Sequence, residues 1–352
     1  APAFVAANVG KRSIAIDLKH PSGAAVAKRL VASCDVVLEN FRPGVMQRLG
    51  LGYEVCRLLR PAIVYCCISG YGQSGPQRDY PAIDNIVQAA SGMMAAGGEE
   101  GDPPSRVGWP VVDTYTGTLA ALAVLAALLQ RERFGEGQYI DVAMLDASLV
   151  MLTSLATPYL VTGQTLPRTG NIGYSGSPTA AVFPARDGTS ISLGVVQDNQ
   201  FAALCRAIGR PEWTTDPRFA TTLERARPQP AQALREALLP IFAARDGLEW
   251  ERLLNSAGSP CGLIRDVAGA CDIARGADRN LVQQVDVTLQ DGRTVSAEYL
   301  NAGFVFGKDG PQAPAHVAEV GQHSREILQF LNYSSGEIDA LLAQGAIAER
   351  KT

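Results

Sequence analysis

The sequence predicts an α/β fold in which helices cover a parallel sheet, together with a smaller α+β domain. Short apolar runs at 35–38 and 62–68 show no polar alternation, which is typical of strands that are buried on both faces. A helical stretch at 44–59 separates them, and such alternation of strand and helix favours a parallel sheet. The 352 residues are 47% hydrophobic and 19% charged, so the chain can bury a sizeable core.

Further elements of this sheet follow from the pattern of apolar residues along the chain. Residues 12–17 alternate as a half-buried strand does, and 139–142 predict another strand. The run 119–129 contains Ala and Leu at almost every position, so we expect a helix that is buried on most sides. A linker rich in Gly, Ser, Thr and Pro at 162–178 precedes a change of pattern, with a strand at 189–196. These features place the large domain at 1–170, the small domain at 171–300 and a C-terminal segment at 301–352.

Charge and cysteine usage narrow the classes of function. Lys and Arg total 31 against 35 Asp and Glu, a net charge of −4 that gives no reason to expect nucleic acid or an anionic membrane as partner. The longest apolar run is shorter than the ~20 residues of a membrane span. Seven scattered cysteines include no C-x-x-C motif, so we expect reduced, mostly buried thiols in a cytoplasmic protein without a metal site.

A G-x-G-x-x-G motif at Gly70, Gly72 and Gly75 follows the predicted strand 62–68. It indicates dinucleotide binding only if its last glycine opens a helix, and Pro76 follows at once. A turn at the end of the strand is the simpler interpretation. A glycine loop that lets another phosphate-bearing ligand approach the backbone is the third.

Few side chains offer catalytic chemistry. The three histidines, His20, His316 and His323, are expected at the surface or at helix caps, and no nucleophile elbow or metal-ligand spacing is present. Asp113 lies where the long apolar helix begins, and helix capping alone would explain it. The alternative is that the helix N-terminus keeps this carboxylate ionised, so that it can attack an activated acyl group. Asp84 lies at another helix start and allows the same two interpretations.

Several motifs, in order along nearly the whole chain, resemble those of the family III CoA-transferases. They are N-x-x-K-R-S-I-x-x-D-L-K at 8–19, E-N-F-R-P-G with L-G at 39–50, S-G-Y-G with G-P at 69–76, G-E-G-Q at 135–138 and V-G-Q-H-S-R-E-I-L at 320–328. That family includes formyl-CoA transferase, carnitine CoA-transferase, succinyl-CoA:dicarboxylate transferases and α-methylacyl-CoA racemases. The resemblance implies a Rossmann-like large domain and an interlocked homodimer. It also implies that the site is completed either by residues ahead of Ala1 or by a partner chain.

The resemblance implies that Asp113 is the nucleophile and that Asp84 supports the site. The expected reaction moves CoA from an acyl-CoA, with succinyl-CoA as the expected donor, to a dicarboxylate such as itaconate, mesaconate, malate, citramalate or glutarate. It passes through an aspartyl anhydride and an aspartyl-CoA thioester. Racemases of the family carry a histidine where this chain has Ile83, and isoleucine cannot abstract an α-proton, so transfer is favoured. Racemisation or isomerisation of an acyl-CoA is the alternative.

The resemblance also implies contacts for the substrates, with no tightly bound cofactor and no metal. Coenzyme A is expected at Asn8, Lys11, Arg12, Arg42, Gly70, Tyr71 and Gly72, the cations pairing with its phosphates and the glycines admitting it to the backbone. The loop 169–178 departs from the sequences of other members. Its Gly170, Asn171, Gly173 and Gly176 are expected to form a flap over the acyl group and the acceptor carboxylate.

Overall fold

A computed structural model describes residues 2–173, 176–288, 293–308 and 316–349. The helices are α1 (Pro2–Asn8), α2 (Pro21–Ser33), α3 (Val45–Arg48), α4 (Tyr53–Leu59), α5 (Asp84–Ala90), α6 (Met93–Ala96), α7 (Val111–Phe134), α8 (Met144–Met151), α9 (Thr153–Thr162), α10 (Asp198–Ala207), α11 (Thr222–Arg225), α12 (Pro228–Phe242), α13 (Gly247–Ser256), α14 (Val267–Gly276), α15 (Ser324–Phe330) and α16 (Ser335–Ala343), with a 3₁₀ turn at Pro211–Thr214. The strands are β1 (Ala15–Ile16), β2 (Val36–Glu39), β3 (Val64–Ser69), β4 (Gln138–Ala143), β5 (Val182–Pro184), β6 (Ser190–Leu193), β7 (Cys261–Leu263), β8 (Val282–Thr288), β9 (Thr294–Leu300) and β10 (Ile347–Ala348).

The chain divides into two compact units. The first comprises Ala1–Ser91, Val107–Thr153 and Cys271–Thr352, and the second comprises Gly92–Arg106 and Ser154–Ala270. The second unit therefore shares 171–270 with the domain predicted at 171–300, and it takes in 92–106 and the linker as well. Residues 309–315 and 350–352 of the predicted C-terminal segment lie outside the described residues.

A parallel sheet in the order β2-β3-β4 forms the centre of the first unit. The strands alternate their side chains between two cores. Tyr65 and Cys67 face a cluster that includes Met46 of α3 and Cys56 of α4. Cys66 packs with residues of α7 and β4 on the opposite face. Helices thus cover both faces, and the prediction of a mixed α/β fold with a parallel sheet is confirmed.

The ends of the described chain meet in the first unit. β1 and β10 pair antiparallel, with Ala15 opposite Ala348. Beside this pair, Val26 of α2 packs against Leu328 of α15 and Ile338 of α16 in one buried cluster. The strand that was predicted at 12–17 is only two residues long in the structure, because β1 comprises Ala15 and Ile16 alone. The hairpin of β8 and β9 also belongs to the first unit.

The long helix α7 follows the sequence prediction in position but differs from it in burial. Its buried positions are Val112, Thr116, Ala120 and Ala127, which form one face. Leucines at 122, 125 and 129 are 63%, 64% and 50% exposed. The expectation of burial on most sides is thus wrong for a single chain, because the sheet covers only one face of the helix. α7 is long and apolar enough to cross a membrane. Helices in the core of a protein can meet the same two criteria.

The second unit is an α+β structure around an antiparallel sheet in the order β5-β6-β7. Its core joins Phe183 of β5 and Ile191 of β6 to Leu204 of α10, Leu238 of α12 and Leu254 of α13, each of which is fully buried. This unit also contains the predicted flap. Residues 92–106 are held to it by Arg168, whose guanidinium donates to the carbonyls of Ala95 and Asp102.

Candidate active site

The turn after β2 is built by its own acidic residue. Glu39 is buried, and its carboxylate accepts the N–H of Phe41 at 2.7 Å. Gly44 then adopts a positive φ of 82°, which a residue with a side chain would rarely adopt, and begins α3. These contacts fix the E-N-F-R-P-G segment so that Asn40 and Arg42 face a cavity.

The glycine motif forms a turn after β3 and does not open a helix. The hydroxyl of Ser69 accepts the N–H of Gly72 at 3.1 Å, and Asp141 of β4 accepts the N–H of Gln73 at 2.8 Å. The next helix begins at Asp84, so the dinucleotide interpretation loses its structural basis. Gly70 is required for a reason that was not expected: a Cβ there would overlap the Cβ of Ala82.

Asp84 caps the helix that carries the expected nucleophile. One carboxylate oxygen of Asp84 accepts the N–H groups of Val112 and Asp113 at 2.8 and 3.0 Å. Pro110 at the N-cap position provides no side-chain bond, so a residue distant in sequence satisfies the helix end. Asp113 itself is in the first turn of α7, and within the described residues no hydrogen bond to its carboxylate is found. Asp84 thus caps α7 and not α5, the helix that it begins, and the Asp113 side chain has no capping role.

Gln88, a residue that the sequence analysis did not select, connects Asp84 to the segment before α7. Its side-chain amide donates to the second oxygen of Asp84 at 2.6 Å and accepts the N–H of Val107 at 2.9 Å. Gln88 is 1% exposed and both bonds are partly buried, so water has limited access to them. An Asp and a Gln four residues apart on a helix often bond to each other, and this spacing is the sequence signal that could have identified it.

These elements enclose a cavity of about 660 Å³ in the first unit, at the carboxyl end of β3, where open parallel sheets usually bind their ligands. Its lining comprises Ala7, Lys11, Asn40, Phe41, Arg42, Pro43, Ile68, Ser69, Gly70, Arg78, Tyr80, Ala82, Ile83, Asp113, Thr116, Gly117 and Met144.

Three cations and one carboxylate share this lining. Among the described residues Lys11, Arg42 and Arg78 form no ion pair with a carboxylate, and the buried Nε of Arg78 has no hydrogen-bond partner. Arg78 was not predicted, because a charged turn after the glycine motif indicates solvent exposure as readily as a ligand contact. Unpaired guanidinium groups in a cavity suit a phosphate or carboxylate ligand.

The environment of Asp113 raises the pKa of its carboxyl above the ordinary value of 3.8. Partial burial against the cavity wall is the larger cause, and the negative charge of Asp84 is the second. The stabilisation expected from the helix N-terminus therefore produces no net lowering of the Asp113 pKa. Asp84 already occupies the N–H groups that would have stabilised the Asp113 anion.

Some expected coenzyme contacts lie outside the cavity lining. Arg12 pairs with Glu326 at 2.9 Å, and the side chain of Asn8 donates to the carbonyl of Phe4. The ring of Tyr71 lies edge-on to Tyr80, 6.1 Å between centroids, so it supports a lining residue. Gly72 keeps its turn by a φ of +87°. Lys11, Arg42 and Gly70 are the predicted coenzyme residues that the structure brings together with Asp113.

None of the three histidines lines the cavity. His316, which was expected at the surface or at a helix cap, is half-buried, and its Nε2 has no hydrogen-bond partner among the described residues. His20 caps α2 and accepts the N–H of Ser22 at 3.2 Å. His323 accepts the N–H of Ser13, and its ring lies 5.8 Å from that of His316. Within the described residues no group of three or more His, Cys, Asp or Glu could hold a metal ion.

The cysteines are free thiols, and those with the greatest burial are unsuited to nucleophilic chemistry. Burial raises the pKa of Cys66 to about 11 and that of Cys67 to about 12. Cys56 and Cys205 are buried as well, with the pKa raised to about 11 and about 12. These four confirm the interpretation of the cysteines as small core residues.

The predicted flap belongs to the second unit. The N–H of Gly170 donates to the carbonyl of Gly98 at 3.1 Å, and its φ is +56°. The carbonyl of Asn171 accepts from Val182, and Gly173 donates to Ala180. Gly176 donates back to Gly173 at 2.8 Å, which closes the loop. Tyr174 and Ser175 lie outside the described residues.

A free carboxylate among unpaired cations, at the ends of parallel strands, is typical of an α/β enzyme that acts on an anionic substrate. Comparison with known proteins identifies the class. The model of CoA-transferase family III matches residues 1–323. The chain therefore belongs to CoA-transferase family III, and it is an enzyme that transfers CoA.

Individual relatives agree with this assignment. The succinyl-CoA:glutarate CoA-transferase of Mus musculus is 33% identical over 350 residues, covering 99% of this chain and 78% of the relative. The acetyl-CoA:oxalate CoA-transferase of Acetobacter aceti is 36% identical over 312 residues, covering 88% of this chain and 78% of the relative. A crystal structure of a CaiB/BaiF family protein from Brucella suis is similar with a TM-score of 0.80 and 29% identity, covering 94% of this chain and 84% of that one.

Proposed function

We propose that the chain moves CoA from succinyl-CoA to a dicarboxylic acid, and that Asp113 carries the acyl group between them. The observation that carries this proposal is the Asp113 carboxylate, which lines the cavity without a hydrogen-bond partner among the described residues. A carboxylate that caps a helix or pairs with a cation has its lone pairs engaged. That of Asp113 remains available for attack on an acyl carbon.

The reaction balances without an external energy source. The Asp113 carboxylate attacks the thioester carbonyl, the C–S bond breaks, and a mixed anhydride and CoA thiolate form. The thiolate attacks the aspartyl carbonyl of the anhydride, which releases succinate and leaves an aspartyl-CoA thioester. The acceptor carboxylate attacks that thioester to give a second anhydride and thiolate. The thiolate then attacks the acceptor's acyl carbon and regenerates the Asp113 carboxylate. Each step exchanges one activated acyl bond for another, so we propose that no resident cofactor is required.

The cavity has a cationic part and an apolar part. These match the phosphate groups of an acyl-CoA and the apolar portions of the same molecule. Lys11, Arg42 and Arg78 can neutralise phosphate groups, and the last two can do so with paired N–H donors. Phe41 and Ile83 are 46% and 64% exposed in the lining, so they offer apolar surface to the rest of the molecule. Arg12, Asn8, Tyr71 and Gly72 remain proposals for coenzyme contacts.

The choice of a dicarboxylate follows from the named substrates of relatives. Relatives that are 29–42% identical to this chain are named as CoA-transferases that use succinyl-CoA and one of four acceptors: glutarate, D-citramalate, L-malate or mesaconate. We infer the same class of acceptor, together with itaconate. We also propose that Gly170, Asn171, Gly173 and Gly176 contact the acceptor.

Racemisation lacks, in this cavity, the histidine base that the family's racemases use. Ile83 precedes Asp84 and lines the cavity with an aliphatic side chain, and the described lining contains no histidine. Abstraction of an α-proton requires a basic group within hydrogen-bond distance of it. Transfer is therefore the activity that the cavity supports best.

We further propose a Rossmann-like first domain, an interlocked homodimer and a cytoplasmic location. The parallel sheet with helices on both faces supports the first, and the exposed leucines of α7 support a dimer. Free cysteines are the usual state in a reducing compartment.

Intact-mass spectrometry after mixing with succinyl-CoA tests the covalent mechanism. The wild-type protein should gain a CoA adduct, and hydroxylamine should convert it to a hydroxamate on the peptide that contains Asp113. Asp113→Asn should form neither product and should lose CoA exchange by at least about 1000-fold, the scale of a removed nucleophile.

Asp278→Asn is the matched control, because Asp278 is an exposed acid outside the cavity lining. It should form the adduct as the wild type does. Exchange activity in the wild type without any adduct or hydroxamate would refute the covalent route. Exchange of deuterium from solvent into the α-carbon of the acyl group would instead support racemisation.

A further inference from the structure

Gly117 occupies an unfavourable position for glycine. It is the seventh residue of the 24-residue helix α7, in its second turn and past the capping positions. Glycine inside a helix costs about 1 kcal/mol relative to alanine, because the unfolded backbone has more freedom to lose. A glycine at such a position calls for a local reason.

The backbone and the packing of the described residues provide no such reason. Gly117 is not among the residues of positive φ, and a Cβ built on it meets no heavy atom within 4 Å. Other glycines differ clearly: a Cβ on Gly137 would overlap the carbonyl oxygen of Ile63, and one on Gly23 would overlap that of Asp17. Alanine would therefore fit at position 117 in the free chain.

The location of Gly117 supplies the reason. It follows Asp113 by four residues, one helical turn, so both lie on the same face, and both line the cavity. Thr116, also in the lining, has its hydroxyl bonded to the carbonyl of Val112 at 2.7 Å. The empty space beside the nucleophile is thus the space that a side chain at 117 would fill.

We propose that Gly117 is a specificity-determining residue, because its missing side chain leaves the room in which the acyl group on Asp113 lies. The inference rests on the proposed function, since it places the acyl group on Asp113. A methyl group at 117 would press on the acyl carbons next to the anhydride. Larger acyl groups would lose more transition-state stabilisation than smaller ones.

Gly117→Ala tests this inference through isotope exchange between an acyl-CoA and its own labelled acid, which probes one acyl group at a time. The melting temperature should rise or stay the same, because alanine favours the helix. The kcat/KM of the succinyl-CoA and succinate pair should fall by about tenfold or more, the usual scale for one misfitting methyl group. The glutaryl-CoA and glutarate pair should fall further.

Gly336→Ala is the matched control, because Gly336 lies in α16, its built Cβ also meets no atom within 4 Å, and it is outside the cavity lining. This variant should exchange as the wild type does. The inference is overturned if Gly117→Ala exchanges within about twofold of the wild type, or loses both pairs by the same factor. It is also overturned if the variant changes its oligomeric state, which would assign the glycine to a subunit contact. Absence of exchange in the wild type would instead refute the proposed function.

Discussion

The electrostatic balance at Asp113 depends on which carboxylate occupies the start of α7. Asp84 accepts the N–H groups of Val112 and Asp113, so the positive end of the helix is neutralised by a neighbour of the nucleophile. Partial burial is the larger cause of the raised pKa of Asp113, and repulsion by the negative charge of Asp84 adds to it. A carboxylate with a raised pKa is more basic, and a more basic carboxylate is the stronger nucleophile once it is ionised.

Asp84→Asn should move the acid limb of the kcat/KM profile to lower pH. Asp113 must be ionised to attack, so activity is lost as the pH falls through its pKa. Removal of the Asp84 charge lowers that pKa and extends activity to more acidic solution. Initial rates of CoA exchange measured across pH provide the check.

Asp79→Asn is the control for this measurement, because Asp79 is an exposed acid in the same turn and is outside the cavity lining. Its acid limb should coincide with that of the wild type. An unchanged limb in Asp84→Asn, with only a lower maximal rate, would show that Asp84 acts through structure alone.

Arg78→Ala should weaken binding of the acyl-CoA. Its Nε is buried without a hydrogen-bond partner among the described residues, so this N–H is available to an anion. A lost charge-assisted hydrogen bond of about 1.5–3 kcal/mol corresponds to a KM for acyl-CoA higher by roughly tenfold or more. Steady-state kinetics with acyl-CoA and acceptor varied separately measure this effect.

Arg78→Lys should recover part of the affinity, since it keeps the charge but loses the paired donors. Arg279→Ala is the control, an exposed arginine outside the lining. An equal rise in the KM of the acceptor and none in that of acyl-CoA would contradict the assignment to the coenzyme.

At the scale of elements, a chain of hydrogen bonds with a fixed direction joins α5 to the start of α7. The N–H of Val107 donates to Gln88, Gln88 donates to Asp84, and Asp84 accepts from Val112 and Asp113. Asp84 has no N–H group in its side chain, so its carboxylate can accept from Gln88 and from the start of α7 at the same time. The network therefore fixes the first turn of α7, on which the position of the nucleophile depends.

Gln88→Leu should lower kcat while the KM for acyl-CoA remains near that of the wild type. Leucine leaves the N–H of Val107 without its side-chain partner in a partly buried site, which costs up to about 3 kcal/mol of stability. Loss of the bond to Asp84 frees the first turn, and misplacement of a reacting group by about 1 Å can cost about 100-fold in rate. Steady-state kinetics and thermal denaturation measure the two effects.

Gln232→Leu removes an exposed glutamine of α12 that bonds only within its own helix, and it should leave both measurements unchanged. If Gln88→Leu melts at a lower temperature but keeps the kcat of the wild type, the network stabilises the fold and does not position Asp113.

The elements of the first unit were predictable where a local pattern determines them. The runs at 35–38 and 62–68 became β2 and β3 because strands buried on both faces must be apolar throughout. Short-range turn chemistry likewise places Arg42 and Gly70. The exposure of α7 was not predictable, because an apolar helix has the same sequence whether its own chain or another surface covers it.

The residues of the candidate site that belong to a sequence motif were predictable. The contacts among them depend on tertiary packing and were not. Asp113 was selected from its place before an apolar helix and from the resemblance to a family. That Asp84, 29 residues earlier, caps its helix depends on how α5 and α7 pack, which no local pattern encodes. The same holds for Arg12, which pairs with Glu326 at a separation of 314 residues.

At the scale of the whole molecule, α7 presents an apolar surface that its own unit does not cover. Leu122 and Leu125 are 63% and 64% exposed, and Leu129, further along the same face, is 50% exposed. Burial of each such side chain would contribute about 1.5–3 kcal/mol. Contiguous apolar surface of this kind is typical of an interface in a permanent oligomer.

A double substitution, Leu122→Glu with Leu125→Glu, should separate the proposed homodimer into monomers. Two carboxylates on adjacent turns would have to be buried without partners, which an apolar interface cannot accommodate. Light scattering coupled to size exclusion should give twice the chain mass for the wild type and the chain mass for the variant. Leu223→Glu is the control, since Leu223 is 81% exposed in α11 and should leave the dimer intact. Circular dichroism would show whether the monomer keeps its helices. A wild-type protein that is monomeric at micromolar concentration, or a double variant that remains dimeric, would show that this face of α7 is not a subunit interface.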